Sequence, residues 1–463
     1  MLPPLLLALW FGDGSEGAFS TALLSVLAAG AVFWLPVRGQ HRELRVRDGF
    51  VVVALFWTVL AVVGALPFAL AEQPHMSFTD AMFESMSGLT TTGATVITGI
   101  DHLPKSIQFY RQELQWLGGM GIIVLAVAVL PMLGIGGMQL YRAETPGPMK
   151  DNKLTPRITE TAKALWYIYL GLTVSCAVAY WFAGMDVFDA IAHSFSTVAI
   201  GGFSTHDLSI GYFQSEAVEM VAVVFMLLAG VNFSLHFVAW RSVNPLTYFR
   251  DSEFKTYITV LAFAAAVTVV YLYLSGTYDA FGDALHHGLF QAVSIGTTTG
   301  FTTAAYFHWP GFLPVMLLFT SFIGGCAGST GGGMKVIRVI LLFRQSLREV
   351  RRLIHPHAVI PVKVGGQKAS DTVISAVWGF FFLYIACFTI MTILLTATGL
   401  DAETAYSAVG ACITNLGPAL GDAGPNYAGL NDPAKIILSI AMLLGRLEIY
   451  TLLVLLTPAF WRD

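Results

Sequence analysis

Four short segments of similar sequence recur along the chain, and they carry backbone and hydroxyl oxygens at a spacing suited to holding a cation. The four copies cover Ser87–Thr95, Ser196–Ser204, Ser294–Thr302 and Ala411–Ala419. Aligned on one glycine, the copies lie 109, 98 and 117 residues apart, at Gly93, Gly202, Gly300 and Gly417. A motif that returns in this way indicates four similar units that converge on a single site.

The chemistry open to these segments is the binding of a weakly held monovalent cation. Glycine allows the backbone to turn its carbonyl oxygens inward through positive φ, and such carbonyls replace the hydration shell of the ion in potassium-channel filters. The threonines of Thr90–Thr92 and Thr297–Thr299 add hydroxyl oxygens. All of these ligands are neutral, whereas a tightly bound divalent ion would require carboxylates.

Other interpretations of the segments were weighed against this one. A single copy could be a polar turn between helices, but four copies, each after a short segment of similar length, favour an ion filter. A phosphate-binding loop is disfavoured because the pattern G-x-x-x-x-G-K-[ST] and a strand-then-helix context are absent at these sites. The chain also has neither an HExxH nor a GxSxG motif, so we do not predict an enzyme.

The composition indicates which elements hold these segments. Apolar residues make up 56% of the chain and charged residues only 12%, with a mean hydropathy of +0.69, whereas soluble proteins carry about 25% charged residues. Many uncharged stretches approach the roughly 20 residues that cross a bilayer as a helix. We therefore predict an all-α polytopic membrane protein. The four cysteines lack CxxC spacing and indicate neither a metal site nor disulfides.

One pattern of elements accompanies each glycine segment: a span, a helix too short to cross the bilayer, the glycine segment and a second span. The predicted short helices are Phe78–Ser87, Val187–Ser196, Asp279–Val293 and Ala402–Ile413. The predicted spans around them are Phe50–Leu70 and Gln112–Leu140, Ala164–Ala183 and Glu216–Trp240, Phe254–Leu274 and Phe312–Leu342, and Thr372–Thr398 and Ala434–Phe460. A short helix that stops at the membrane centre presents the negative end of its dipole there.

These elements predict four pseudo-symmetric helix–pore-helix–filter–helix repeats around one pore, at residues 49–140, 141–243, 244–342 and 343–463. Residues 1–48 form an N-terminal hairpin, Leu2–Phe11 and Ala18–Val37, and a basic linker; the first helix reads as the end of a longer one. Of the 25 Lys and Arg residues, 21 fall in predicted cytoplasmic segments, which places the N-terminus in the cytoplasm. The predicted outer side is acidic, which concentrates cations.

A glycine-rich stretch interrupts the second span of the third repeat. Six of the ten residues of 324–333 are glycine, and each costs about 1 kcal/mol in a helix, so we predict a gate loop across the pore. Its residues are Gly324, Gly325, Gly328, Ser329, Thr330, Gly331, Gly332 and Gly333. The alternative is close helix packing between Gly324 and Gly328.

Two basic residues are candidates for an electrostatic barrier beside this loop. Arg446 lies within an apolar span, where a charge is costly and usually functional; it could repel cations or bind carbonyls of the gate loop. The alternative is a structural ion pair, although Glu448 is a poor partner because residues i and i+2 of a helix do not face each other. Lys335 follows the glycine run and serves either the gate or ordinary cytoplasmic anchoring.

Together these motifs resemble the Trk/Ktr/HKT superfamily of potassium transporters, and within it the bacterial membrane subunits of Trk systems. The residues that carry the resemblance are Ser85–Thr95, Ala199–His206, Gly296–Phe301, Gly328–Lys335, Asn415–Pro418 and Gly445–Glu448. The resemblance covers nearly the whole chain. Glycine at all four aligned positions resembles the potassium-selective members, whereas sodium-preferring relatives have a serine at the first.

The resemblance implies potassium uptake across a bacterial inner membrane, through a gated single-file pore driven by the electrochemical gradient. Potassium would be transported and bound in the filter, without an organic cofactor. The implied filter ligands are Thr91, Thr92, Ile200, Gly201, Thr298, Thr299, Asn415 and Leu416. The resemblance also implies a homodimer with one pore per subunit and a cytoplasmic ring of TrkA-like nucleotide-binding subunits that controls the gate. Potassium cotransport with sodium or protons is the alternative, and it would need an acidic residue deep within a span.

Overall fold

The computed structural model describes residues 1–39, 46–121 and 158–462. Within these ranges the chain is predominantly helical, and strand pairing is confined to one antiparallel ribbon, β1 (Lys363–Val364) with β2 (Gln367–Lys368). Five helices are long and apolar enough to cross a membrane, or six if one bent pair counts as a span, and only 17–39% of the five helices' apolar windows is buried. Their remaining apolar surface suits a bilayer, and the predicted all-α polytopic membrane class is confirmed.

The N-terminal residues form two helices that lie against the first repeat. Helix α1 (Leu2–Phe11) has the predicted bounds and ends at Gly12, whose φ of 59° is left-handed; α2 covers Glu16–Trp34. The turn between them is fixed because Asp13 accepts a hydrogen bond from the backbone N–H of Ser106 at 2.9 Å. At ten residues, α1 is shorter than a membrane-crossing helix.

Each repeat begins with a long helix followed by a short one. The long helices are α3 (Val46–Leu70), α6 (Ile158–Phe182), α11 (Ser252–Leu274) and α15 (Asp371–Ala397). The short helices are α4 (Phe78–Leu89), α7 (Val187–Ala199), α12 (Phe281–Gly296) and α16 (Ala402–Ile413). All eight predicted helices are therefore present, and α16 has the predicted bounds.

Each glycine segment leads through a 3₁₀ turn to a second helix. The turns are Ile100–His102, Ser209–Phe213, Tyr306–His308 and Gly421–Ala423. The second helices are α5 (Lys105–Gly119), α8 (Glu216–Ala229) with α9 (Phe233–Ser242), α13 (Leu313–Ile323) with α14 (Val336–Ile354), and α17 (Asp432–Arg446) with α18 (Tyr450–Leu455). Helix α10 (Leu246–Arg250) joins the second and third repeats, and the chain closes with a 3₁₀ turn at Pro458–Trp461.

Three of the short helices are anchored at their outer ends by side-chain caps. Ser77, Asp186 and Asp401 each accept a hydrogen bond from the backbone N–H three residues further on. A cap of this kind satisfies one of the N–H groups that the first helical turn leaves without an intrahelical partner. The outer ends of α4, α7 and α16 are thus fixed, and their inner ends are buried.

The prediction of a continuous span over Glu216–Trp240 was wrong. Helices α8 and α9 meet at an angle of 95°. The bend follows Gly230, whose carbonyl accepts a hydrogen bond from the N–H of Cys326 at 2.9 Å. Asn232 then begins α9 by accepting a hydrogen bond from the N–H of Ser234 at 2.8 Å. A helix-breaking glycine followed by a capping residue was the local signal.

The prediction of a continuous span over Ala434–Phe460 was also wrong. Helix α17 ends at Arg446, and α18 begins only at Tyr450 after Glu448 and Ile449, which have φ of 55° and 60°. The break lets the carboxylate of Glu448 pair with Arg338 of α14. The span predicted at Gln112–Leu140 corresponds to α5, which begins earlier, at Lys105. The part of this predicted span beyond residue 121 lies outside the described residues. Residues 40–45 and 141–157 of the predicted basic segments also lie outside them.

Candidate functional site

The four glycine segments, numbered 1 to 4 in chain order, meet in a closed ring. A Cβ atom at Gly93 would clash with the carbonyl oxygen of Gly201 in segment 2. The same clash, with the carbonyl just before the aligned glycine of the next segment, joins Gly202 to Thr299, Gly300 to Leu416 and Gly417 to Thr92. The contacts run from segment 1 to 2, 3, 4 and back to 1, so the four segments surround one axis and leave no room for a side chain at any aligned glycine.

The four segments share one backbone conformation. The aligned glycines have φ of 82°, 81°, 85° and 96° in chain order. The residues two positions earlier, Thr91, Ile200, Thr298 and Asn415, are also left-handed, at 54°, 56°, 69° and 55°. A β-branched residue such as Ile200 rarely adopts this region, so its recurrence in all four copies indicates that the ring imposes it. Segment 4 has this conformation although its sequence has diverged most.

Threonine hydroxyls hold the segments in place. In segment 1 the Oγ1 atoms of Thr90 and Thr92 lie 2.8 Å apart, and those of Thr297 and Thr299 in segment 3 lie 2.7 Å apart. Asn415 donates a hydrogen bond to Thr92 Oγ1 at 3.0 Å and so connects segment 4 to segment 1. These side chains brace the backbone that carries the carbonyl groups.

A buried ion pair supports segments 1 and 2 from behind. Arg111 of α5 and Glu84 of α4 pair at 2.9 Å, with side chains 1% and 0% exposed. Arg111 also donates to the carbonyl oxygen of Ser204 at 2.8 Å and to Thr95 Oγ1 at 3.1 Å. Breaking one partner of such a pair costs about 3–5 kcal/mol. The sequence analysis missed this pair, because other polar and charged residues in the same two helices, such as Asp80 and Glu113, give Glu84 and Arg111 no distinctive signal.

Gln115 of α5 makes a second support for segment 2. Its amide group donates to the carbonyl oxygen of Gly201 at 2.5 Å and accepts from the N–H of Phe203 at 3.0 Å. The sequence analysis did not single out Gln115, because a glutamine in a predicted span has no distinctive spacing. Segments 1 and 2 are therefore held by three polar side chains that are almost completely buried.

An open cavity of about 420 Å³ lies on the side of the ring that is predicted to face outward, here called the outer side, and the opposite side is called the inner side. All four aligned glycines line it, together with residues of the turns that follow each segment, such as His206, Thr303 and Tyr427. Tyr427 donates to the carbonyl oxygen of Gly417 at 2.6 Å. The cavity is the outer approach to the ring.

His206 links two of the outer turns beside this cavity. Its Nδ1 contacts Asp101 at 2.5 Å and its Nε2 contacts Asp189 at 3.2 Å, while the ring stacks on Tyr212 with centroids 3.5 Å apart. Burial lowers the pKa of His206, but the hydrogen bonds that its imidazole makes to Asp189 and Asp101 outweigh burial, so the pKa is raised above 6.5. The protonated imidazole is thereby favoured on the outer surface.

The predicted gate-loop residues lie directly on the inner side of the ring. The glycine-rich loop (324–335) connects α13 to α14. Thr330 donates to the carbonyl oxygen of Val198 at 2.9 Å, the N–H of Gly332 donates to Thr298 Oγ1 at 2.7 Å, and the N–H of Gly333 donates to the carbonyl oxygen of Thr414 at 3.0 Å. The loop therefore contacts the inner ends of segments 2, 3 and 4.

Two charged side chains hold the loop at its inner edge. The carboxylate of Glu253 accepts hydrogen bonds from the N–H groups of Ala327 at 2.7 Å and Ile337 at 3.1 Å. Lys335 reaches back to the carbonyl oxygen of Gly331 at 2.6 Å. The contact of Lys335 with the loop agrees with the predicted proximity to the gate. Glu253 was missed, because it lies more than 70 residues before its partners.

Arg446 lies beneath segment 1, whereas the loop contacts just described involve segments 2, 3 and 4. It donates to the carbonyl oxygen of Gly118 and lies 3.5 Å from Thr91 Oγ1. Its guanidinium group stands 5.3 Å from the ring centre of Trp57. The loop and Arg446 together cover the inner ends of all four segments.

The four short helices end at a closed ring of carbonyl-bearing segments, and the inner side of this ring is obstructed. This arrangement defines a cation-pore fold. The sequence profile of the TrkH family, described as "Cation transport protein", matches residues 16–462. The chain belongs to this family. The family transports cations, which agrees with the prediction that the chain is not an enzyme.

Named relatives agree with this assignment. The chain is 58% identical to the Trk system potassium uptake protein TrkH of Vibrio parahaemolyticus, covering all of this chain and 96% of the relative. It is 53% identical to TrkH of Escherichia coli K12, with the same coverage, and 43% identical to TrkG of that strain, covering 95% of it. The crystal structure of the potassium transporter TrkH from Vibrio parahaemolyticus matches with a TM-score of 0.90 and 55% identity, over all of this chain and 96% of that one.

Proposed function

We propose that this chain is the membrane subunit of a bacterial potassium uptake system, and that potassium crosses the inner membrane through the ring of glycine segments. The observation that carries the proposal is the closed sequence of glycine-to-carbonyl contacts around one axis. Such a ring replaces ion hydration with carbonyl oxygens. The names of the relatives, which are potassium uptake proteins of Trk systems, support potassium as the ion.

The proposed ligands are backbone carbonyl groups of the filter. They belong to Thr91, Thr92, Gly93, Ile200, Gly201, Gly202, Thr298, Thr299, Gly300, Asn415, Leu416 and Gly417. The threonine hydroxyls of segments 1 and 3 have partners within the protein, so their proposed role is to position the carbonyls. The buried C-terminal ends of the four short helices add partial negative charge, about half a charge each, toward the axis.

The proposed gate consists of the glycine-rich loop with Lys335 and Arg446. The loop residues are Gly324, Gly325, Gly328, Ser329, Thr330, Gly331, Gly332 and Gly333. Contacts of the loop with segments 2, 3 and 4, and of Arg446 with segment 1, favour an obstruction over mere helix packing. A fixed positive charge at this level adds an electrostatic barrier to cations.

The wider assembly belongs to the same proposal. The repeats are proposed at 49–140, 141–243, 244–342 and 343–463, after the N-terminal hairpin and linker of 1–48, with the N-terminus in the cytoplasm. A homodimer and cytoplasmic TrkA-like nucleotide-binding subunits complete the system. The basic helix α14, with Arg344, Arg348, Arg351 and Arg352, begins at the end of the gate loop and offers such a partner a cationic surface.

The test is rubidium-86 uptake into liposomes that contain the purified chain, under an inward-directed membrane potential. The proposal predicts saturable uptake that potassium blocks and sodium barely affects, driven by the potential alone. Uptake that requires a sodium or proton gradient would instead support cotransport. Because a closed gate gives no uptake, each assay is repeated with a nucleotide-binding Trk subunit added, and absence of uptake under both conditions would contradict the proposal.

A further inference from the structure

Three side chains outside the ring bring metal-binding atoms together. Glu219 lies in the first turn of α8, and His286 and His287 lie in the second turn of α12. One donor atom from each lies within 4.8 Å of the other two. In the part of the chain that the structure describes, no other group of three histidine, cysteine, aspartate or glutamate residues meets this spacing.

The donor atoms of this group are not used by ordinary hydrogen bonds. The side chain of Glu219 is 5% exposed, and its Oε2 has no hydrogen-bond partner among the described residues. Nε2 of His286 lies 2.8 Å from that oxygen, yet the pair does not have hydrogen-bond geometry, and this nitrogen also has no hydrogen-bond partner there. Buried polar atoms are normally hydrogen-bonded, whereas these two face each other only as an ion pair, so both remain available to a ligand that lies beside them.

His287, the third residue of the group, contacts two residues that do not belong to the group. Nδ1 of His287 lies 3.3 Å from Thr303 Oγ1, and the His287 ring stacks on Tyr278 with centroids 5.1 Å apart. Histidine ligands of metals usually have such a partner on the second ring nitrogen, which fixes the tautomer and the ring orientation. Thr303 lines the outer cavity, so the group lies on the same side as the outer approach to the ring.

We propose that Glu219, His286 and His287 form a binding site for Zn²⁺ on the outer side of the protein. Two imidazoles and one carboxylate are a zinc ligand set that leaves the fourth tetrahedral position for water. Bond lengths of about 2.0–2.2 Å place tetrahedral ligand atoms roughly 3.3 Å apart, so small side-chain rotations complete the geometry. Potassium is a poor occupant, because nitrogen ligands favour transition metals over hard cations.

Metal binding here would join two elements that lead to different parts of the pore. Helix α8 ends at Gly230, whose carbonyl group holds Cys326 of the glycine-rich loop. Helix α12 ends at segment 3. A bound Zn²⁺ therefore ties the helix that contacts the loop to the helix that carries part of the ring. This site is independent of the potassium proposal, because none of its three residues belongs to the ring or the loop.

The experiment is calorimetric titration of Zn²⁺ into the purified, chelator-treated full chain in detergent, with thermal unfolding as a second readout. We expect one saturable site per chain and a higher unfolding temperature with Zn²⁺, since a ligand that binds the folded state stabilises it. Glu219→Gln and His286→Ala each remove a metal ligand, so each should weaken binding at least as much as the roughly 10- to 100-fold that loss of an outer-shell partner costs. Binding should also weaken as acidification protonates the histidines.

The matched control is His102→Ala, because His102 is an exposed histidine in an outer turn away from this group. It should bind Zn²⁺ as the unaltered chain does. Glu219→Gln preserves the shape of the side chain, and its unfolding temperature without metal verifies that it folds. Equal Zn²⁺ affinity in the unaltered chain, Glu219→Gln and His286→Ala, or no zinc-dependent rise in the unfolding temperature of the unaltered chain, would overturn the proposal.

Discussion

Segments 1 and 2 of the ring and the glycine-rich loop beneath it are held by different kinds of contact. Behind the segments, Arg111 and Glu84 form an ion pair that is inaccessible to water. The loop is held by single hydrogen bonds to backbone and hydroxyl groups, and by the carboxylate of Glu253. Buried charged pairs are costly to separate, whereas a typical hydrogen bond contributes only about 0.5–1.5 kcal/mol.

The difference agrees with the proposal that the ring is a filter and the loop is a gate. Aligned glycines that tolerate no Cβ atom fix the carbonyls of neighbouring segments relative to each other. The loop is packed as closely at Gly324 and Gly332, where a Cβ atom would also meet a carbonyl oxygen. What distinguishes the loop is its composition: six of its residues are glycine, which favours alternative backbone conformations. The proposed filter is thus preorganised, and the proposed gate is the more easily displaced part.

The largest expected effect comes from breaking the ion pair behind segments 1 and 2 of the ring. Arg111→Met leaves Glu84 buried without its partner and should lower the free energy of unfolding by about 3–5 kcal/mol, measured as a fall in the unfolding temperature in detergent. The control Arg351→Met removes an exposed arginine of α14 and should change little. Changing Glu84 to Met as well should restore much of the loss, and a single variant as stable as the control would contradict the supporting role.

A substitution within the ring should change selectivity rather than stability alone. Gly93→Ser places a Cβ against the carbonyl oxygen of Gly201 and displaces it, which should lower the preference for rubidium over sodium about tenfold, or roughly 1.4 kcal/mol. Competition of sodium with rubidium-86 uptake measures this. Gly99→Ser is the matched control, since Gly99 has φ of 72° but open space around it. Equal selectivity in both variants would count against the filter alignment.

Removing the positive charge of Arg446, which lies under segment 1, should ease the passage of cations through the obstructed inner side of the ring. Arg446→Ala should raise basal rubidium uptake about tenfold, because lowering a barrier by roughly 1.4 kcal/mol has that effect on a rate. Arg446→Lys retains the charge and should stay close to the unaltered chain. A fall in uptake by folded Arg446→Ala protein would assign the arginine a structural role instead.

Weakening the contacts between Glu253 and the glycine-rich loop should have a smaller effect on basal uptake. Glu253→Gln weakens the hydrogen bonds to Ala327 and Ile337, since a neutral acceptor binds N–H groups less strongly than a carboxylate. A loss of about 1 kcal/mol corresponds to a roughly fivefold rise in basal uptake. Glu72→Gln, at an exposed turn position, is the control. Unchanged uptake in Glu253→Gln would show that this contact does not restrain the loop.

The smallest expected effect concerns the outer turns. Because the pKa of His206 is raised in the folded protein, protonated His206 stabilises it fully below the unfolded-state pKa near 6.5. That stabilisation is lost as the pH rises through the folded-state pKa. At low pH the free energy of unfolding of the unaltered chain should exceed that of His206→Gln by about 1 kcal/mol or less. Unfolding temperatures of both proteins at several pH values measure this difference. An advantage that grows with rising pH would contradict the assigned contacts with Asp101 and Asp189.

Much of the architecture could be predicted because its signals are local. Hydropathy over about 20 residues indicated the long helices, and the bounds of α1 and α16 were predicted without change. The four copies of the glycine motif indicated convergence on one axis, and the ring of contacts has that arrangement. The breaks after Ala229 and Arg446 were missed, because hydropathy averaged over about 20 residues stays high across a few polar residues such as Asn232, Arg446 and Glu448.

The sequence by itself determined the membrane class, the family motifs and the four aligned glycine positions, since each depends on neighbours in the chain or on recurrence of one pattern. Only the tertiary structure decided that Glu84 meets Arg111, that Glu253 holds a loop more than 70 residues later, and that Glu219 faces His286. These pairs join different helices, and the distance between two side chains on different helices is set by how the helices pack, which no local pattern records.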